Sequence, residues 1–170
     1  MGQMAEVEAA VAAATAPERA RFCFEYTNGV DAKSRVVMPA SFRAPFEGGG
    51  LLTVWQGRCL AAMPRPEWDA YVDGMVLALG ASHEEHPDEV LRELWRSTME
   101  IKLDIQGRLA LDAAVRASVG IGSEVRFVGF GRRVELWPAA VTAEQQADRD
   151  DRRATVSLLQ GSYDVPRQQG

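Results

Sequence analysis

The residues in this chain whose types and spacing could hold a polar ligand occur twice. Asp31, Arg35 and Arg43 in "DAKSRVVMPASFR" are matched 73 residues later by Asp104, Arg108 and Arg116 in "DIQGRLALDAAVR". An aspartate at a turn can accept hydrogen bonds from nearby backbone N–H groups or pair with the arginine. A small residue just before the arginine lets the chain reverse, ideally a glycine where φ is positive. The arginine then sits on a short, stiff tip, suited to a phosphate or to two hydrogen bonds with a guanine edge. The same spacing also fits a plainer role, in which each Asp–Arg pair only braces its own turn. Spacing alone leaves both open. The residues concerned are Asp31, Lys33, Ser34 and Arg35 in the first copy, and Asp104, Gly107 and Arg108 in the second.

Little else suggests chemistry. His83 and His86 in "SHEEHP" are three residues apart, not the four that put both zinc ligands of H-E-x-x-H on one helix face. They precede Pro87 and read as an exposed loop. Cys23 and Cys59 lack metal-type spacing and read as small buried hydrophobes in a reducing cytoplasm. With no nucleophile–base pair and no glycine-rich phosphate loop, the expectation is a protein that is not an enzyme. No cofactor, metal or small-molecule substrate is expected either.

The 170 residues suffice for one domain with a core, or two small halves sharing one. Apolar and charged contents of 46% and 25% are ordinary for a globular chain, and no apolar run approaches a membrane span. "MGQMAEVEAAVAAATAPERA" lacks a basic start and carries Glu6 and Glu8, which argues against a secretory signal. A net charge of −5 speaks against a nucleic-acid partner until its distribution is read. Residues 21–60 carry five basic and three acidic groups, and residues 101–137 carry six and four. Residues 61–100 carry three basic and nine acidic groups. The acid is concentrated between and outside two mildly basic segments.

The repeat extends past the charged skeleton. "LLTVWQGRCLAAMP" (51–64) aligns with "VRFVGFGRRVELWP" (125–138), matching Gly57-Arg58 to Gly131-Arg132 and Pro64 to Pro138. Each copy reads as strand, tight turn, strand, short helix, loop and hairpin. Phe22, Phe24 and Tyr26 precede the first motif, and Val36 and Met38 follow it. Ile101 and Leu103 precede the second, and Leu109 and Leu111 follow, so in each copy two strands are expected to meet at the motif. Pro39 suits the first position of a short helix and Asp112 the matching N-cap. Between the copies, "PEWDAYVDGMVLALG" and "PDEVLRELWRSTM" have helical apolar spacing and predict an inserted helical hairpin. The stretch after Pro138 is helix-compatible with a poor apolar face. The expected organisation is a flexible N-terminal extension over 1–20; repeats over 21–64 and 100–138; the hairpin over 65–99; and a C-terminal helix and tail over 139–170.

Several ordered motifs resemble the MraZ family of bacterial transcription regulators, a two-repeat branch of the SpoVT/AbrB-type fold. They are "YTNGVDAKSR", the "PEWD" helix start, "STMEIKLDIQGR" and "VRFVGFGRRVELW", together spanning roughly residues 22 to 140. The family's first signature is D-x-K-G-R followed by a proline and an arginine, and "DAKSRVVMPASFR" departs from it at Ser34. The resemblance implies an α+β fold in which tandem pseudo-two-fold β-hairpin repeats form one barrel-like core. It implies a ring homo-oligomer that binds double-stranded DNA at short direct repeats upstream of the cell-division and cell-wall gene cluster, its own promoter included. It places the chain in the cytoplasm at the nucleoid. Asp31, Lys33, Ser34 and Arg35 would form the DNA-contacting loop, and Asp104, Gly107 and Arg108 an auxiliary or structural turn. A left-handed conformation at Ser34 would cost on the order of 1 kcal/mol. The competing reading is an AbrB-like antitoxin or interaction module that has lost DNA binding.

Overall fold

The computed structural model describes residues 19–163. The chain divides into two units, one ending at Pro138 and one beginning at Ala139. The expected N-terminal extension falls almost wholly outside the described residues.

The first unit is α+β. Its strands are β1 (Glu25–Gly29), β2 (Arg35–Val37), β3 (Gly50–Trp55), β4 (Cys59–Pro64), β5 (Thr98–Ile101), β6 (Arg108–Ala110), β7 (Glu124–Phe130) and β8 (Arg133–Pro138). Six of them form an antiparallel sheet in the order β1-β7-β8-β4-β3-β5, and β2 pairs with β6 in a separate ribbon. The tight hairpins expected from the glycines form. In the first, Gln56 and Gly57 have φ of 51° and 65° and the Arg58 N–H reaches the Trp55 carbonyl at 3.0 Å. Positive φ at both central residues matches the right-handed twist of the flanking strands. The second hairpin turns through Gly131 and Arg132 and is one residue tighter.

The pairing around the charged motifs differs from the expected local hairpins. β1 and β2 form no ladder, and only an isolated backbone bridge between Val30 and Val36 joins the segments on either side of the turn. β1 instead pairs with β7 of the second repeat, and β5 with β3 of the first. Alternation fixes which face a strand buries but not which strand lies beside it, and here the repeats exchange partners. The exchange is symmetric. Allowing for the longer first hairpin, the pair Glu25 and Val128 has its counterpart in Thr98 and Thr53. The pseudo-two-fold axis runs through two pairs of mutual equivalents: Val36 faces Leu109 in the ribbon, and Ala61 faces Glu135 where β4 meets β8.

The main core lies between one face of the sheet, the ribbon, and two short helices, α1 (Ala40–Arg43) and α4 (Ala113–Ser118). It holds Val36, Met38, Phe42, Leu60, Leu109, Phe127 and Leu136, all essentially free of solvent contact. α1 begins one residue later than expected, with Pro39 at its N-cap. Asp112 caps α4 as expected, accepting from the Ala114 N–H at 2.7 Å.

The inserted helices are α2 (Arg65–Gly80) and α3 (Pro87–Arg96). They supply Trp68, Tyr71, Val72 and Leu94 to a second cluster with Leu51, Ala61 and Met63 on the opposite face of β3 and β4. Cys59 is buried as expected, and burial pushes its thiol up to about 12. Cys23 is exposed, contrary to expectation. It lies just ahead of Phe24, whose φ of 80° takes that part of the chain out of regular strand alternation.

In the second unit, α5 (Ala143–Tyr163) opens on a reciprocal cap. The Thr142 hydroxyl accepts from the Gln145 N–H at 3.2 Å, and the Gln145 side chain accepts from the Thr142 N–H at 3.0 Å.

Candidate nucleic-acid interface

The two charged motifs fold into the same structure. In the first, Asp31 Oδ1 accepts from the N–H groups of Lys33 and Arg35, both at 2.9 Å. Asp31 Oδ2 accepts from Arg35 Nε at 2.9 Å and Nη2 at 2.7 Å. In the second, Asp104 Oδ1 accepts from the N–H groups of Gln106 and Arg108, again at 2.9 Å, and Oδ2 from Arg108 Nε at 2.7 Å. Backbone bonds close each turn: Asp31 with Arg35 and Ser34, and Asp104 with Arg108 and Gly107.

These bonds favour the charged aspartate. The Arg35 guanidinium, followed by the Arg35 and Lys33 N–H groups, holds the Asp31 carboxyl down at about 2. At Asp104 the Arg108 N–H is the leading cause of a lowered value, with the Arg108 side chain next.

The residue before each arginine is left-handed, with φ of 56° at Ser34 and 74° at Gly107. The turn therefore imposes the strained conformation anticipated for Ser34. The two positions differ in what lies against them. A Cβ on Gly107 would come 2.4 Å from Arg43 Nε, so a side chain there would have to displace Arg43. At Ser34 the equivalent arginine, Arg116, leaves room for a hydroxyl 3.5 Å from its Nη2.

Arg43 and Arg116 complete the repeated skeleton and have a structural task that spacing did not reveal. Arg43 Nε donates to the Met38 carbonyl at 2.8 Å, and Arg116 Nε to the Leu111 carbonyl at 3.3 Å. Each arginine lies against the opposite repeat's turn. Their recurrence at a fixed distance after the motifs was the available signal. Asn28, which no pattern picked out, donates to the Val37 carbonyl at 2.7 Å and ties β1 to the ribbon.

The ribbon brings the motifs together. Arg35 lies opposite Ala110 and Val37 opposite Arg108. With roughly 3.3 Å of rise per residue, the two arginines are offset by about 7 Å along the ribbon, and their turns project from its opposite ends. Met38 N–H reaches the Gly107 carbonyl at 2.9 Å, and Leu111 N–H the Ser34 carbonyl at 2.8 Å, so each turn is pinned by the strand after the other.

What the turns present differs. The first offers Lys33, exposed and with no side-chain partner among the described residues. Arg35 is held by Asp31 along one edge of its guanidinium, which leaves the outer edge of the fork available. The second turn offers Gln106 in place of the lysine and a fully exposed Ile105 where the first has Ala32. His83 and His86 lie in the exposed linker before α3, and among the described residues no cluster of His, Cys, Asp and Glu could hold a metal ion. No helix among them is long and apolar enough to cross a membrane.

Fold and site together define a tandem-repeat α+β protein in which each half supplies one Asp–Arg turn to a shared ribbon. The family model described as "MraZ protein, putative antitoxin-like" matches residues 22–86, which include the first turn. The chain is 32% identical over 142 residues to the transcriptional regulator MraZ of Corynebacterium diphtheriae, across 84% of this chain and 96% of that one. It is 33% identical over 118 residues to that of Thermomicrobium roseum, across 68% and 80% of the two chains. With that of Deinococcus radiodurans it shares 33% over 129 residues, across 71% and 87%. The chain belongs to the MraZ family.

Proposed function

We propose that this chain is a non-enzymatic, sequence-specific DNA-binding transcriptional regulator, working in the cytoplasm at the nucleoid. Its partners are double-stranded DNA, at short direct repeats in the promoter of the cell-division and cell-wall gene cluster, and further copies of itself in a ring. The observation that carries this reading is the Asp31–Arg35 turn. It is a pre-ordered tip on which Asp31 orients Arg35 and Lys33 points unpaired into solvent. Ordering in advance lowers the entropic cost of contact, and the outer edge of the arginine fork can meet a guanine or a phosphate. One subunit has too little positive charge to bind tightly by itself. Several linked subunits on spaced repeats raise the effective concentration and replace bulk charge with avidity.

The test is binding to promoter-repeat DNA at fixed salt, with assembly size checked in parallel. Arg35→Ala is expected to weaken binding about tenfold or more, the worth of about 1–3 kcal/mol for a bidentate base contact. Lys33→Ala should weaken it more uniformly across sequences and lower the salt slope by about 1 for each subunit engaged. Undiminished affinity in both variants would remove the assignment. The second reading, an antitoxin-like interaction module, is favoured by the inward pairing of Arg35 with Asp31, and that same result would support it.

A further inference from the structure

Rotation about the pseudo-two-fold axis exchanges the two turns, because that axis passes through the Val36–Leu109 pair at the middle of the ribbon. Val36 and Leu109 are buried in the core, so by alternation Arg35, Val37, Arg108 and Ala110 lie on the ribbon's outer face. A surface laid across that face meets both turns at the same height. A duplex held at the Lys33 turn therefore reaches the Gln106 turn as well.

The second turn is stiff and carries different chemistry. Asp104 accepts from the Gln106 and Arg108 N–H groups, the Met38 N–H holds the Gly107 carbonyl, and Arg43 lies against Gly107. None of these bonds uses the side chain of Ile105 or Gln106. Ile105 is 103% exposed, the most of any large hydrophobic residue described. A single exposed apolar residue is ordinary on a protein surface. This one stands on a rigid tip beside an exposed amide, in a segment (101–108) where Lys102 and Arg108 outnumber Asp104. Arg108 donates to Asp104 through Nε, and its two terminal nitrogens make no hydrogen bond among the described residues.

In the major groove a glutamine amide pairs with adenine, accepting from N6 and donating to N7, and an apolar side chain packs on the thymine methyl. Guanine instead presents two acceptors, which suit arginine and lysine. The turns thus differ as readers. Lys33 and Arg35 only donate, whereas Gln106 donates and accepts and Ile105 does neither.

We propose that the second turn is a base reader selective for A·T pairs, with Gln106 taking adenine and Ile105 covering a neighbouring thymine methyl. This inference rests on the DNA-binding reading above and adds a second, different segment to the DNA site. The two arginines are offset by about 7 Å along the ribbon, the length of about two base steps. The A·T segment therefore lies at least about two base pairs from the contact of the first turn.

The test begins with duplexes selected from a randomised pool by the full chain. The best is remade with single-group changes in its A·T segment, and binding is measured at fixed salt. Uracil in place of thymine removes only the methyl and should weaken the parent about fourfold. Replacing adenine by 7-deazaadenine removes only the N7 acceptor and should weaken it about fivefold. Ile105→Ala should be indifferent to uracil and Gln106→Leu to 7-deazaadenine, with melting temperature and assembly size unchanged in both. The DNA changes probe the contact in the unaltered chain even where a variant fails to fold. Selected duplexes without an A·T segment, or variants that lose as much as the parent on each change, would overturn the second reader and leave the Lys33 turn's contact standing. A parent chain that selects no duplex from the pool would remove both.

Discussion

The turns at Asp31–Arg35 and Asp104–Arg108 share nearly every hydrogen bond and differ in what they show to solvent. The aspartate oxygens accept from the same relative positions at nearly the same distances, and each turn is pinned by the other repeat's strand. Divergence is confined to side chains that the frame does not need. Lys33 becomes Gln106, Ala32 becomes Ile105, and Ser34 becomes Gly107. Duplicated backbone therefore does not imply duplicated function. The Asp–Arg pair is the brace common to both, and the cationic tip belongs to the first.

The sharpest way to break the equivalence is at the residue before each arginine. Gly107→Ala must place a Cβ against Arg43 in a left-handed backbone, and Arg43 is held by the Met38 carbonyl. A loss of about 2–3 kcal/mol is expected from the backbone strain and the disturbed hydrogen bond, read as a lower midpoint in chemical denaturation. In an Arg43→Ala background the loss should shrink towards the backbone part alone, about 1–2 kcal/mol. An equal loss in both backgrounds would show that the arginine is not what opposes a side chain.

A smaller effect is expected from acid. The Asp31 carboxyl is depressed in the folded chain, to about 2, from about 3.9 when unfolded. Its contribution is fully present above the unfolded value and is lost as pH falls through the folded one. Asp31→Asn should therefore lower the melting temperature at pH 7, with the gap to the parent closing between about pH 4 and pH 2. A gap that stayed constant to pH 2 would mean that the charge of the carboxylate is not what braces the turn.

The smallest change is expected at Ser34, where φ is positive but a side chain is accommodated. Ser34→Gly should be neutral or stabilising by up to about 1 kcal/mol. A clear fall in melting temperature would show that the hydroxyl near Arg116 outweighs the backbone strain.

Much of this frame was legible in the sequence. The duplication, the two turns, the hairpins at Gly57 and Gly131, the cap at Asp112 and the inserted helices all depend on interactions within a few residues. The exchange of β1 and β5 between repeats was not legible, because period-two patterning is silent about neighbours. The task of Arg43 and Arg116 was hidden for a related reason, since each lies against a turn some seventy residues away. The exposure of Cys23 follows from the left-handed Phe24, which no local composition signals. At the candidate site the residues could be listed in advance. That Asp31 holds one edge of Arg35 and leaves the other open required coordinates.

The exchange has a consequence for how the protein is made. The strand that follows the Lys33 turn pairs with residues 108–110, and β1 ahead of it pairs with residues 124–128. On the ribosome, where chains grow by about 5–20 residues per second, the first turn is translated early but has no pairing partner for several seconds. A transcript cut short within the inserted helices yields a product whose first turn lacks both of its supports. The arrangement therefore ties a finished tip to a finished chain.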